Sequence, residues 1–440
     1  MGVREGDGGS TPRQCRGRAR RRRPAAWAGA ILLAVATWAC STPSGTQIGG
    51  AVSVLGSWEG PEQDAFMAMV APFEQRTGIH IEYSSTRDLQ GVVQRGIAAG
   101  DPPDVAGLPG PGFMQQFARS GGLKDLTDVI DVASYKAETI PAFIDLGTID
   151  GKLVGVFIKA TVKGLLWYDP TAWTMGAPQS WSDLLHVARM TTTADTKPWC
   201  VGLDSGASSG WPGTDWIEDF LLRQSGPGAY DRWVAGQLAW TSPEVRAAFV
   251  SFGQVVADGA VYGGTSGALT THFSLAGAPL FDRPPGCYFL HQGSFMASFL
   301  ADDPRHPGAS FDFFPFPDID PRWSGSLIGG GDLLGLVRDR PQARELIRYL
   351  VTPEAQTIWV KQGGALSSNL RVDAYPDERT AREAKLLASA NHLRFDASDA
   401  MPDELNAAFW QAVLDFTKYP DRLDTILAHL DSVAAKSYGN

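Results

Sequence analysis

The chain has few of the residues that build metal sites, nucleotide cradles and membrane spans. Four cysteines and seven histidines occur in 440 residues. Neither recurs at a CxxC, HExxH or paired-histidine spacing, so the sequence offers no zinc-type ligand set and implies no cofactor. A GxxxxGK[ST] loop is missing. Gly329-Gly330-Gly331 lies before a strand, not between a strand and a helix, which is the wrong place for cradling phosphate. Positive charge is scarce outside the N-terminus. Residues 1–25 carry eight arginines against Glu5 and Asp7, a balance of +6, so the rest must sum to −16 to reach the overall −10. An acidic body repels phosphate backbones and argues against nucleic acid as a partner. Core-forming residues are plentiful: 14 Trp, 21 Phe and 10 Tyr, 44% hydrophobic and 20% charged residues, and a mean hydropathy of −0.12 exclude intrinsic disorder. The length supports more than one lobe, because single cores stop growing at roughly 250–300 residues.

The arginine-rich head ends at Arg23 and Pro24, and an apolar run follows from Ala25 to Ala39. This run falls short of the ~20 residues that span a bilayer. The order of basic head, apolar run and small exit residue predicts a secretory signal peptide over residues 1–40. Ala39-Cys40-Ser41 fits a lipoprotein site at which Cys40 becomes the lipidated N-terminus; ordinary cleavage near Ala39 is the alternative. Residues 41–49 read as a flexible tether. Export leaves Cys200 and Cys287 as a pair in an oxidising compartment, which points to a disulfide, with two separately buried thiols as the other reading.

The body alternates strands and helices. Ala51–Leu55, Ile79–Tyr83 and Asp104–Gly107 read as strands, with helices over Pro61–Gln75 and from the cap Asp88 to Ala99. This βαβαβ order predicts an open α/β sheet with ligand chemistry at the C-terminal ends of the strands. Val156–Ile158 continues through Lys159–Lys163 into Gly164–Tyr168, a strand that can cross from one lobe to another. Later patterns predict helices from Ser180, over Asp215–Arg223 and Pro243–Ala257, and strands at Trp199–Leu203, Cys287–Leu290, Phe311–Phe314 and Asp332–Val337. Residues 403–438 read as helix broken at Tyr419-Pro420.

Gly206-Ala207-Ser208-Ser209-Gly210 matches the G-x-S-x-G of a nucleophile elbow. An elbow starts its helix at once, whereas Gly210-Trp211-Pro212-Gly213 places the helix no earlier than Thr214, so a Gly/Ser loop is favoured. Asp215 and Glu218 share a helix face and could serve acid–base chemistry on a glycoside. The flanking Trp211 and Trp216 point instead to sugar recognition, in which a ring takes the C–H face and carboxylates take hydroxyls.

Taken in order, these segments resemble the extracellular solute-binding proteins (family 1) of carbohydrate ABC importers. The resemblance spans residues 50–440. It is carried by Ser57–Glu62, Phe73–Ile79, Ala98–Val105, Gly151–Val156, Val162–Asp169 and Thr352–Gln356. Pro198–Gly202, Gly210–Asp219 and Pro284–Cys287 make it most similar to the α-glucoside-binding group. It implies a two-lobe periplasmic-binding-protein-like α/β fold, type II and maltodextrin-binding-like, closing by hinges on a ligand in the cleft. Lobe one would comprise 50–160 plus 328–366, and lobe two 161–327 plus 367–440. The implied function is a non-enzymatic one: binding an α-glucoside or related di- or oligosaccharide and delivering it to two transmembrane permease subunits with a cytoplasmic ATPase. The implied protein is a monomer, held at the membrane by the lipid on Cys40. Trp58, Trp211, Trp216 and Trp410 would stack on sugar, with helix packing as the alternative for Trp410. Glu59, Asp88, Asp215 and Glu218 would accept hydroxyls. Lys163, Gln292 and the Gly329–Gly331 backbone, Gly330 included, would donate, and Asp332 would accept or cap a strand. Lys163 has a second reading, orienting a carboxylate across the hinge. A secreted glycoside hydrolase or esterase, or a binder of a non-sugar polyol, are the rival functions.

Overall fold

A computed structural model describes residues 48–108 and 110–439. The predicted signal peptide (1–40), most of the tether and the lipidation site Cys40 lie outside the described residues. Among the described residues no helix is long and apolar enough to cross a membrane.

Strand β1 (Gly50–Gly56) leads into the helix Pro61–Thr77, which buries Phe66, Met69, Val70 and Phe73 on one face. Gly78, at φ 70°, ends the helix by donating its N–H to the Glu74 carbonyl. β2 (Ile79–Ser85) lies parallel to β1. Asp88 then caps the helix Leu89–Ala98 through the Gly91 N–H, and β3 (Val105–Leu108) joins β1 on its other edge. This is the βαβαβ unit that the alternation predicts.

A small hairpin of β4 (Thr148–Ile149) and β5 (Lys152–Leu153) precedes β6 (Val156–Val162), whose seven residues are all buried. The chain leaves β6 through Lys163-Gly164 and enters β7 (Leu165–Tyr168), a strand of a different sheet. Gly164 is required at this crossing. Its φ is +69°, and a Cβ would lie 2.0 Å from Asp219 Oδ2. The second sheet adds β8 (Lys197–Cys200), β9 (Cys287–Gln292) and β10 (Asp312–Pro315), in the order β10-β7-β9-β8. β11 (Ser326–Leu336) returns to the first sheet, where β6 lies antiparallel along one edge. On the other edge, the first residues of β11 pair with β12 (His392–Phe395) and its last residues with β3.

Two sequence expectations change. β11 starts at Ser326, not Asp332, because Gly329–Gly331 belong to the strand. A Cβ on Gly331 would lie 2.5 Å from the Lys159 carbonyl, and one on Gly330 2.9 Å from Thr161 Oγ1, so these glycines let β11 lie close against β6. The helix expected from Thr214 or Asp215 begins at Trp211. Gly210 adopts φ 109° before it, and Pro212 fits the first turn, where a missing N–H costs nothing.

Each lobe has an aromatic core. In the first, Trp58 stacks near Tyr83 and meets Trp359 edge-on. In the second, Trp181, Trp199, Trp216, Phe220 and Phe316 interlock, with Trp199 and Trp216 5.5 Å apart. The disulfide forms between Cys200 and Cys287, whose Cα atoms are 5.5 Å apart on the neighbouring strands β8 and β9. The pair are 87 residues apart in sequence. On the chain-entropy account a loop of this length contributes about 4–5 kcal/mol. Replacing both cysteines by alanine should therefore lower the unfolding free energy by up to that amount, measured by urea titration of the oxidised and variant proteins.

Candidate ligand-binding site

A cavity of about 300 Å³ lies between the lobes. Its floor is one face of β6, continued one residue past the strand. Side chains alternate along a strand, so Lys159, Thr161 and Lys163 point the same way, and all three line the cavity. Lys159 is fixed by the first lobe: its ammonium binds Glu62, and Asp332 at 3.1 Å. Asp332 in turn accepts the Trp58 indole N–H at 2.8 Å. Lys163 binds Asp215 at 3.1 Å and Asp396 at 2.8 Å. Burial alone would lower both ammoniums; their paired carboxylates reverse this and hold both above the usual lysine value.

Around Lys163 acids outnumber the cation. Burial, opposed by Lys163, pushes Asp215 well up, and burial with the nearby Asp396 charge does the same to Glu218 and Asp399. Asp396 is held below the usual value: burial opposes this, but Lys163 and the hydrogen bonds from Ser398 and Asp399 prevail. Asp396 is thus the ionised partner of Lys163. Glu218 accepts the N–H groups of Ala397 (2.7 Å) and Ser398 (3.0 Å). The Tyr230 hydroxyl lies 3.1 Å from Glu218 and 2.9 Å from the Phe395 carbonyl. One hydroxyl hydrogen serves one acceptor at a time, and the burial that raises the Glu218 pKa favours the neutral carboxyl, which can donate in turn. Asp215, Glu218 and Asp396 converge closely enough to ligate a metal. Lys163 already supplies the positive charge there.

Five residues lining the cavity each carry a buried polar atom with no hydrogen-bond partner among the described residues. They are Arg87 Nε, Thr161 Oγ1, Trp211 Nε1, Asn406 Oδ1 and Trp410 Nε1. Buried polar atoms are normally satisfied, so these five are open to a polar ligand in the cavity.

Of the residues predicted from sequence, the cavity brings together Trp58, Asp88, Lys163, Trp211, Asp215, Asp332 and Trp410. The rest lie elsewhere. Trp216 is inside the second core, its ring 4.2 Å from His291. Glu218 is fully buried behind the floor, its oxygens taken by backbone N–H groups. Gln292 is buried, and its side-chain oxygen accepts the Gly293 N–H. Glu59 is on the exposed rim, 3.8 Å from Arg87. Gly330 faces Thr161, and Gly331 lines the cavity in its place. Ser208 ends a short 3₁₀ turn, Gly206–Ser208, and donates to the Arg87 carbonyl at 3.3 Å. It is not on a strand-to-helix elbow.

Sequence reasoning missed Glu62, Arg87, Lys159, Asp396 and Asn406. Lys159 had a visible signal, since it and Lys163 are the only charges in a stretch otherwise apolar or hydroxylated. Asp396 had none, because its place depends on β12 pairing with β11.

The fold and site together define a two-lobe binding protein with its ligand cleft at the lobe junction. The profile of the family described as bacterial extracellular solute-binding protein matches residues 68–388, and the chain belongs to that family. Osmoprotective compounds-binding protein GgtB of Synechocystis sp. is 32% identical over 395 residues, covering 88% of this chain and 93% of the relative. Alpha-glucosides-binding periplasmic protein AglE of Rhizobium meliloti is 33% identical over 385 residues, covering 84% and 83%. Among solved structures, a chitin oligosaccharide binding protein superposes with a TM-score of 0.76 at 18% identity, over 89% of this chain and 99% of the other. The Thermus thermophilus maltotriose binding protein gives a TM-score of 0.68 at 14% identity, over 88% and 99%. At these identities the structural likeness is one of fold.

Replacing Lys163 by methionine leaves Asp396 buried without its cation. Removing one partner of a buried pair costs about 3–5 kcal/mol. In the wild type the depressed Asp396 pKa gives stability that is complete above the ordinary aspartate range and lost only below it. In the variant, burial without a cation favours the neutral carboxyl, which protonation supplies as the pH falls. The Lys163→Met deficit should therefore be largest near pH 7.5 and shrink towards pH 4, measured by denaturant unfolding across that range.

Proposed function

We propose that the protein is the extracytoplasmic binding component of a sugar ABC importer. It takes an α-glucoside or related di- or oligosaccharide and passes it to two transmembrane permease subunits driven by a cytoplasmic ATPase. The leader exports it, and a lipid on Cys40 holds it at the cytoplasmic membrane as a monomer. Its lobes, 50–160 plus 328–366 and 161–327 plus 367–440, close by hinges when a ligand bridges them.

The observation that carries this reading is the mixed lining of the cavity. Trp211 and Trp410 offer apolar ring faces together with N–H donors unpartnered among the described residues, beside the carboxyl groups of Asp88 and Asp399. A sugar matches both: its C–H face lies on a ring, and each hydroxyl donates to one neighbour while accepting from another. Both lysines are already neutralised, which disfavours an anionic solute. The binding function of the relative AglE supports an α-glucoside. That of GgtB, with a cavity at the small end of the roughly 300–1,000 Å³ typical of ligand sites, favours a small osmoprotective solute as the second reading.

Tryptophan fluorescence titrated with maltose, trehalose, sucrose and sorbitol separates these readings. Saturation by a glucoside supports the first and saturation by sorbitol alone the second. No response to any sugar, with binding of another solute, overturns the sugar reading. Hydrolysis of a chromogenic glucoside or ester that disappears in Asp215→Asn or Ser208→Ala would make the protein an enzyme. Trp211→Ala and Trp410→Ala should each weaken the bound glucoside about 10–100-fold, measured by calorimetry.

A further inference from the structure

The Gly206–Gly210 segment that resembles a catalytic motif has a different partner. Across the mouth of the cavity, Ser208 Oγ donates to the Arg87 carbonyl at 3.3 Å, and the Arg87 guanidinium lies 5.1 Å from the centre of the Phe273 ring. Arg87 belongs to the first lobe, between β2 and the helix capped by Asp88. Ser208 and Phe273 belong to the second.

Both sides of this contact are held firmly. In the first lobe, the Thr86 N–H donates to the Gly56 carbonyl at 2.9 Å and the Asp88 N–H to Thr86 Oγ1 at 3.1 Å. In the second, Asp204 and His272 form a β-bridge, and the Phe273 N–H donates to the Asp204 carbonyl at 3.0 Å. Ser209 Oγ accepts the Ser205 N–H at 2.9 Å, which closes the serine turn. Trp211 and Phe299 flank the Phe273 ring at 5.2 and 5.7 Å. The serine turn and the phenylalanine turn are thus one unit, and Arg87 meets it at two points.

We propose that Arg87, Ser208 and Phe273 form an inter-lobe latch that sets how long the closed form lasts. The proposal rests on the reading of the protein as a hinged binding protein and extends it to the residues that time ligand release. Arg87 also lines the cavity, and its buried Nε has no hydrogen-bond partner among the described residues, Glu59 being 3.8 Å away. A buried donor without an acceptor disfavours the closed form. An oxygen of the ligand placed against Arg87 removes that penalty. The latch made by the Ser208 hydrogen bond and the Phe273 ring therefore holds in both states and lasts longer with ligand than without it. Ser208 and Phe273 are positioning residues that act on the life of the closed form, whereas Arg87 also offers the ligand a donor, so Ser208→Ala separates the latch from that contact.

The test is single-molecule fluorescence transfer between one dye on each lobe, in wild type, Arg87→Gln, Ser208→Ala and Phe273→Leu. The first two substitutions lie at the rim and leave the cores intact, so the test does not depend on Phe273→Leu folding. In ligand-free protein, the closed-state dwell time should shorten about 5–30-fold in Arg87→Gln, the range expected for losing a cation–ring contact. It should shorten by a smaller factor in Ser208→Ala. With a bound sugar, the dissociation rate should rise by similar factors while the association rate stays within about twofold. Wild-type dwell times and dissociation rates in both rim variants overturn the latch, as does a wild type that never closes in either condition. A wild type that closes but binds no sugar overturns the sugar reading alone, and the ligand-free dwell times still decide the latch.

Discussion

Two buried ammonium groups on one strand organise this molecule. Lys159 and Lys163 stand four residues apart where the chain leaves the first sheet for the second, and neither is stable there alone. Lys159 requires Glu62 and Asp332 from the first lobe. Lys163 requires Asp215 from the helix Trp211–Ser225 and Asp396 from the segment after β12. Meeting these needs draws four separate chain segments to the two lysines, and the cavity lies between those segments. The same pairings fix the polarity of the floor: alternating neutralised charges with a free hydroxyl at Thr161 suit a solute with many hydroxyls and no net charge.

Much of this fold was legible in the sequence, for a local reason. Where a strand or helix buries one face against its own lobe, its periodicity is written in consecutive residues. The strands β1 and β2, the helix capped by Asp88 and the break at Tyr419-Pro420 all follow from that. The first part of β11 was not legible, because three consecutive glycines look like a loop. Their purpose is visible only once β6 lies against them. The start of the helix at Trp211 was obscured in the same way: Gly210 and Pro212 read as breakers until their backbone angles make them a helix entrance.

The site was legible by residue type more than by residue. Seven of the twelve ligand-binding candidates line the cavity. Trp216 shares the helix of Trp211 and Asp215 but turns to another face, into the aromatic core. Glu218 stays beside Asp215 yet lies behind the cavity, bound to the backbone of Ala397 and Ser398. Spacing along a helix can group such residues, but it does not say which face meets the cleft. Arg87 and Asn406 stand out only through their unpartnered atoms, which exist only after folding. The G-x-S-x-G match marked a segment that reaches the cleft, with a role unrelated to the motif's chemistry.

The course of β11 has a consequence for how such proteins diversify. One continuous strand pairs with β12 at its start and with β3 at its end, with β6 alongside. On the proposed boundaries, which give β3 to the first lobe and β12 to the second, the lobes are not modules joined by string, since one sheet draws backbone from both. A chimaera that exchanges one lobe for that of a relative must keep β6, β11 and β12 from a single parent, or it breaks a sheet at its middle. Change in solute preference is thereby channelled into the helix ends and turns around the cleft, such as Gly206–Ser208 and the entrance at Gly210, where substitution leaves the shared strands untouched.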